Sequence, residues 1–458
     1  MATSMHDLKY QEENQRNAFS SLSKRSKTRD EIQRKEKVSV LAAFFAWGGI
    51  FYMFESAALS GAQDILAGAT LQTSTVYIAF IASVTFTNVA APHLVIRVPF
   101  SWSISWAVLL QMGGLLVVPF VGNVYWKLLG VVVMGFGTGY GQTVLLALTS
   151  FFDSEKAVSS YAAGTGFGFM LSLLYYTALT TWFCVSSSIA FVLLAPFSLL
   201  SFVCYYVITK NCLTNATTSI HKTVEYRSLQ NSDAEDTEET ANSDDLTTKE
   251  KISTIVNLFA SVAVPLFTAY FSEYTILQSV ITSLGYQNAP FRPRDHYQYY
   301  FIVLWSGELI GRSHRTVLSL INSRWLYNIT VKGLWALALV EILHLLILFC
   351  ESWYRFLPGV EIVLCICFTA GLIVGSLFNN AGELFSGLLE ERQRKFGIGF
   401  YSFPLNFGIL TAGFMGLALE PQLRQHCTAL VTDSAFCTTR AKSFQDIALG
   451  CASKSVQL

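Results

Sequence analysis

The feature that most limits how this chain can fold is the recurrence of apolar runs long enough to cross a bilayer. A helix needs roughly 20 predominantly apolar residues to span the hydrocarbon core. About eleven runs near that length follow one another, at 38–61, 75–97, 101–121, 124–151, 157–183, 186–209, 254–283, 297–321, 331–351, 357–386 and 397–419. Inside hydrocarbon every backbone amide must find a partner within the protein, so these runs are expected to be helices. Composition agrees: 52% of residues are hydrophobic and 14% charged, against roughly 25% charge in a soluble domain. This balance excludes an ordinary soluble enzyme, and a formal net charge of zero gives no reason to expect nucleic acid as a partner. The expected fold class is an all-α polytopic membrane protein of about 11 transmembrane helices, with the lipid bilayer as its first partner.

Polar intervals divide the chain. Residues 1–37 form a basic tail, with Lys24, Arg25, Lys27, Arg29, Arg34, Lys35 and Lys37 just ahead of the first run. Lysine and arginine concentrate on the cytosolic side, so this tail is expected there. No apolar core with a small-residue cleavage site precedes the first span, which is expected to act as an uncleaved anchor. Residues 38–209 then make a six-helix bundle, 210–253 a disordered cytosolic linker, 254–419 a second bundle and 420–458 a C-terminal tail. The linker reading rests on 231–250 (NSDAEDTEETANSDDLTTKE), which is acidic and has no apolar periodicity. Counting spans from a cytosolic N-terminus places Lys210, Arg312, Arg315, Arg324, Arg392, Arg394 and Lys395 on the cytosolic side. The loop at 62–74, which has no basic residue, falls on the opposite side together with the C-terminal tail. Arg292 and Arg294 run against the rule.

Smaller signals lie on this frame. Asn215-Ala-Thr and Asn328-Ile-Thr fit the glycosylation sequon but are cytosolic in this topology. Tyr226-Arg-Ser-Leu229 has the tyrosine-x-x-bulky form of an endolysosomal sorting signal, so sorting adaptors are an expected partner; an inert loop is the other reading. The nine cysteines show no metal spacing, and no cofactor is expected. Cys184, Cys204, Cys350, Cys365 and Cys367 lie in apolar runs as small core residues, whereas Cys427 and Cys437 could bridge if the tail is lumenal.

Six spans, a central linker and about five more is the pattern of the major-facilitator architecture, in which two bundles related as parallel repeats enclose a midplane site. Phe54-Glu55-Ser56 in the first span parallels Ser272-Glu273-Tyr274 in the seventh, and Gly141-Gln142 in the fourth parallels Gly382-Glu383 in the tenth. A carboxylate inside a span is costly and usually faces a cavity, a partner or a permeation path. Glu55 and Glu273 are therefore candidate proton or substrate groups, with a hydrogen-bonded acid between helices as the alternative. Glu308 and Arg312 are four apart and share a helix face, so they can pair. Asn379, Asn380 and Glu383 form a polar stripe fit for a cavity wall or for interhelical bonding. His93 and His344 are lone histidines with structural roles as the favoured reading. Gly137, Gly139 and Gly141, and then Gly164, Gly166 and Gly168, alternate along two spans. Pairs four apart, such as Gly137/Gly141 and Gly164/Gly168, suit close helix packing or a hinge. No HExxH, GxSxG or paired-acid hydrolase motif supports an enzyme.

These motifs, in this order, resemble the battenin family of lysosomal membrane proteins. The resemblance is carried by Ser56-Ala-Ala-Leu-Ser-Gly-Ala-Gln-Asp-Ile-Leu66, Leu146-Ala-Leu-Thr-Ser-Phe-Phe152 and Ser159-Ser-Tyr-Ala-Ala-Gly-Thr-Gly166. Val264-Pro-Leu-Phe-Thr-Ala-Tyr-Phe-Ser-Glu-Tyr274, Tyr297-Gln-Tyr-Tyr300 and Gly311-Arg-Ser313 extend it, so that it covers roughly 40–425. It implies a facilitator-type fold and a lysosomal or late-endosomal location. It also implies a link to lysosomal pH and to the handling of glycerophosphodiesters or basic amino acids. Glu273, Arg312, Gly164 and Gly166 match family positions. Where the family usually shows Gly-x-Gly-Glu, this chain has Gly139-Tyr-Gly-Gln142, and an amide cannot release a proton. The expectation is a transporter whose cavity draws on Glu55, Gln142, Glu273, Glu308, Arg312, Asn380 and Glu383, with a non-transporting lysosomal scaffold or trafficking regulator as the alternative.

Overall fold

The computed structural model describes residues 38–95, 98–149, 154–210, 256, 258–321, 333–388, 391–431 and 433–440. Among these, the expected all-α architecture is what the chain adopts, and no residue is in a strand. The first half runs α1 Val38–Ser60, α2 Ser74–Val95, α3 Phe100–Phe120, α4 Val124–Thr149, α5 Ser154–Thr177 and α6 Ser187–Lys210. The second half opens with α7 Val264–Thr275, prolonged at either end by π-helical turns, Phe259–Ala263 and Ile276–Val280. It continues with α8 Pro293–Ile321, α9 Leu334–Tyr354, α10 Val360–Leu388 and α11 Glu391–Leu430. Nine of the described helices are long and apolar enough to cross a membrane by composition, and neither α7 nor α8 is among them. These two carry Glu273, Glu308 and Arg312, which are among the polar groups that dilute their hydropathy. The last helix continues past residue 419 to Leu430. The sorting tetrapeptide Tyr226–Leu229, the acidic linker and both sequons lie outside the described residues.

Helices approach one another closely where a side chain is missing. Along the α8–α10 seam Gly307, Gly311, Gly371 and Gly375 each face the partner's backbone, at Phe368, Leu372, Leu304 and Glu308 respectively. This is the small-residue packing that holds helices together where no hydrophobic effect between them is available. The α1–α5 seam is built alike. Gly164 faces Phe45 and Gly168 faces Gly49. The hydroxyls of Ser160 and Ser172 donate to the carbonyls of Leu41 and Met53 at 2.7 Å each. Gly137 packs on Gln111 and Ala107 of α3, Gly139 on Val84 and Thr87 of α2, and Gly141 on the Phe51 ring of α1. Gly166 differs: a methyl there would meet only Leu309, at 3.8 Å. Gly371→Ala is therefore expected to destabilise the protein by about 1–3 kcal/mol through overpacking, whereas Gly166→Ala is expected to be neutral. Thermal unfolding of the two purified variants, side by side, checks the contrast.

The halves meet through α2 against α11 and α5 against α8. Phe169 stacks on Trp305 across the second contact at 3.6 Å between ring centroids. Beyond α11, Cys427 and Cys437 form a disulfide with their Cα atoms 5.6 Å apart, which returns the chain to the bundle. Cys184, expected as a buried core thiol, is instead engaged in a disulfide. It sits in the turn between α5 and α6, outside the helices that build the core.

Candidate functional site

In the last turn of α7, Glu273 is fully buried, and among the described residues neither of its carboxylate oxygens has a hydrogen-bond partner. Glu308 on α8 is equally buried, and its Oε1 accepts from Nε of Arg312 one turn on at 2.8 Å. A second guanidinium nitrogen of Arg312 also reaches Oε1 of Glu308, and donates to the Tyr270 hydroxyl at 3.0 Å. The guanidinium lies 4.3 Å over the Phe378 ring of α10, and the side-chain amide of Asn379 donates to the Arg312 carbonyl at 2.9 Å. The i, i+4 pairing read from the sequence is therefore formed, and an aromatic ring and a tyrosine hold the cation in place. Pairing matters here because a lone buried charge costs several kcal/mol.

The first half completes the site across the bundle interface. Glu55 on α1 is buried and lies within electrostatic reach of both Arg312 and Glu308, as Tyr52 one turn earlier does of Arg312. Asn380 is buried and its amide donates to the Ser376 carbonyl of its own helix at 2.8 Å. Gln142 is buried on α4, and among the described residues no hydrogen bond ties it to the carboxylates. Glu383 belongs to α10 by its backbone, and its side chain is not among those described. Of the expected acids, Glu308 is thus paired with Arg312, and Glu55 and Glu273 lie within electrostatic reach of the same arginine. A fourth, Glu341 on α9, is also fully buried and bonds His344 at 3.1 Å. The sign for it was present in the sequence, a single acid inside the apolar run Leu334–Cys350, the same sign that marks Glu273.

One end of the interface, the end bearing the loop between α1 and α2, is sealed by polar contacts between the halves. Asp64 accepts from Nε of Arg294 at 3.1 Å and forms a closer contact with another guanidinium nitrogen. It also accepts from Tyr176 at 2.7 Å and from Ser187 at 3.0 Å. Arg292 pairs with Asp295 at 2.9 Å. The two arginines that run against the charge rule are therefore both neutralised within the protein. The Tyr77 and Tyr297 hydroxyls meet at 2.9 Å, and Gln298 donates to the Ser60 carbonyl at 2.9 Å. The chain after the disulfide adds to this seal. Thr439 donates to Gln63 at 2.6 Å, and Arg440 donates to the carbonyls of Leu71 at 2.5 Å and Ala69 at 3.2 Å. Glu420 of α11 accepts from the Thr73 amide at 2.6 Å and from Arg440 at 3.3 Å. Burial pushes the Arg440 guanidinium down from its ordinary range, and Glu420 opposes that shift.

Buried acids around one arginine, set where two bundles meet and shut off at one end, form a site that can bind a small solute or a proton. Comparison with known proteins agrees with this architecture. A family model described as CLN3 protein matches residues 42–426. Protein BTN1 of Kluyveromyces lactis is 27% identical over 399 residues, covering 86% of this chain and 97% of that protein. Battenin of Canis lupus familiaris is 23% identical over 352 residues, covering 77% of each. Among solved structures, a bacterial homologue of the human lysosomal transporter Spinster, in an inward-facing and unoccupied conformation, superposes with a TM-score of 0.57 at 12% identity, covering 91% of this chain and 96% of that one. The nucleoside transporter NupG superposes with a TM-score of 0.55 at 13% identity, covering 91% and 96%. At such identities the structural likeness speaks to the fold, which is that of major-facilitator transporters.

Proposed function

The chain belongs to the CLN3 protein family, that of battenin, and from that premise we propose that it is a secondary transporter of small solutes in the lysosomal or late-endosomal membrane. Its two bundles, residues 38–209 and from 254 to the end of α11 at Leu430, rock about the central site, with 210–253 as the cytosolic linker and the tails at 1–37 and beyond α11. The observation that carries the reading is Glu273: a fully buried carboxylate with no hydrogen-bond partner among the described residues, on the helix that opens the second bundle, within electrostatic reach of the Glu308–Arg312 pair. An ionised group so placed is expensive, and holding a proton removes that cost. Glu273 is the proposed proton-coupling group, and Arg312 the group that meets an anionic part of the cargo, with Glu55, Gln142, Asn380 and Glu383 on the pathway. Glycerophosphodiesters and basic amino acids are the two cargo classes. The first would lean on Arg312 and the second on the acids. The sealed end is the lumenal one in this reading, and its disulfide suits a compartment that does not reduce thiols. Tyr226 and Leu229 would supply the contact for sorting adaptors.

Flux of both cargo classes into proteoliposomes under an imposed pH gradient tests the proposal. Wild type should accumulate one class. Glu273→Gln should abolish gradient-driven accumulation while leaving counterflow exchange, because exchange needs the cargo site and not the coupled proton. Absence of flux for both classes would turn the reading to a scaffold or trafficking regulator.

A further inference from the structure

We propose that Glu341 and His344 on α9 form, together with Glu273, a proton-binding site inside the second bundle, behind the Glu308–Arg312 pair. The inference deepens the transport reading and rests on it for its role in coupling, though not for the site itself.

Helices α7, α9 and α10 pack on one another, and α8 packs on α10. In their midst lie three fully buried carboxylates, Glu273, Glu308 and Glu341. Glu273 is within electrostatic reach of the other two, and Glu341 of Glu308. Within electrostatic reach of Glu341 from the packed elements are Glu273 on α7, Glu308 on α8 and the Cys367 thiol on α10; His426 on α11 stacks instead on Trp353, near the far end of α9. The arginine is committed to Oε1 of Glu308. Among the described residues that leaves Glu273 with two unpartnered oxygens and Glu341 with one, against a single further group able to carry positive charge, His344. Two buried carboxylates facing at most one cation cannot both stay ionised without a cost of several kcal/mol. The cluster therefore holds protons.

The geometry says where one of them resides. His344 Nδ1 lies 3.1 Å from Oε2 of Glu341, and its Nε2 lies 3.2 Å from the Thr369 hydroxyl. That hydroxyl can send its own proton to the carbonyl of Cys365 at 3.1 Å or of Ile366 at 3.0 Å, leaving a lone pair for the ring. Nε2–H of a neutral ring can thus donate to the Thr369 hydroxyl while Nδ1 accepts from the acid, so that Oε2 of Glu341 carries the proton. Glu273 is the second acceptor, and its unpartnered oxygens make it the member free to exchange with the central site.

Infrared difference spectra of the full-length protein in lipid bilayers, recorded across pH steps, read the carbonyl stretch of protonated carboxylic acids directly and need no cargo. Glu341→Gln should remove one titrating carboxylic-acid band. Glu341→Asp, which keeps a carboxyl group, should retain a band at an altered frequency. His344→Gln should keep the Glu341 band but move its frequency, because the hydrogen-bond partner has changed. Difference spectra of Glu341→Gln identical to wild type would overturn the proposal. Loss of the band without cargo flux in the wild type would leave the proton site standing and remove the transport reading. Cargo flux with no change in the Glu341→Gln spectra would do the reverse.

Discussion

Replacing Arg312 by alanine is expected to cost the protein both stability and transport, and adding Glu308→Gln is expected to return only the first. The guanidinium is held by Glu308, by the Tyr270 hydroxyl and by the Phe378 ring. Removing it leaves Glu308, a fully buried acid, without the partner of its Oε1. Breaking a buried pair from one side costs about 3–5 kcal/mol, most of it the penalty of the orphaned charge. Gln at position 308 removes that charge, so the double variant should recover most of the lost thermal stability. Transport should not recover, because among the described residues no cation then lies within electrostatic reach of Glu55. Arg312→Lys should fall between the two. It keeps the charge but loses the planar group that bonds Glu308 through two nitrogens and stacks on Phe378. Unfolding temperatures and proteoliposome flux for wild type, R312A, R312K and R312A/E308Q give the two readouts. Recovery of flux in the double variant would show that Arg312 serves only to neutralise Glu308.

The parts of this molecule legible in its sequence are those coded locally. Spans are legible because hydrocarbon demands about twenty apolar residues from one contiguous stretch. The Glu308–Arg312 pair is legible because its members are one helical turn apart. Glu273 is legible because an acid stands out within Val264–Val280. Glu341 gave the same sign in Leu334–Cys350, although its partner His344 reads as a lone histidine until the ring is seen beside the carboxylate. What the sequence hides is pairing at a distance. Asp64 stands in the α1–α2 loop and Arg294 at the start of α8, 230 residues apart, and nothing local to either names the other. The glycines of α8 and α10 are likewise spaced as helix-packing residues, but only the structure shows that each set faces the other. Glu420 looks like the first residue of a polar tail. It is buried because Thr73 and Arg440, far from it in sequence, close around it.

The seal at the α1–α2 loop carries the other large prediction: Arg294→Ala is expected to open that end. Asp64 is nearly inaccessible to solvent, with 1% of its side chain exposed. Its partners come from both halves, Arg294 from the second and Tyr176 and Ser187 from the first. If the halves part here, water reaches Asp64 and Arg294 and the pair is no longer needed. An unpaired Asp64 therefore penalises the sealed state and leaves the open one untouched, and only such a difference between states can shift their populations. A penalty of about 3–5 kcal/mol corresponds to a shift of the order of a hundredfold or more toward the open state. A reporter lies beside the pair at Ser60, fully buried and bonded through its carbonyl to Gln298 of the other half. With every cysteine outside the disulfides replaced, among the described residues Cys204, Cys350, Cys365 and Cys367, Ser60→Cys should resist a membrane-impermeant alkylating reagent applied from that side. Adding Arg294→Ala should make it react. Arg440→Ala should raise the reactivity less, because Thr439 and the Cys427–Cys437 bridge still hold the end segment against the first half. Unchanged protection in the Arg294→Ala background would move the burden of closure from the ion pair to that segment, and the double variant with Arg440→Ala would then be the one to open.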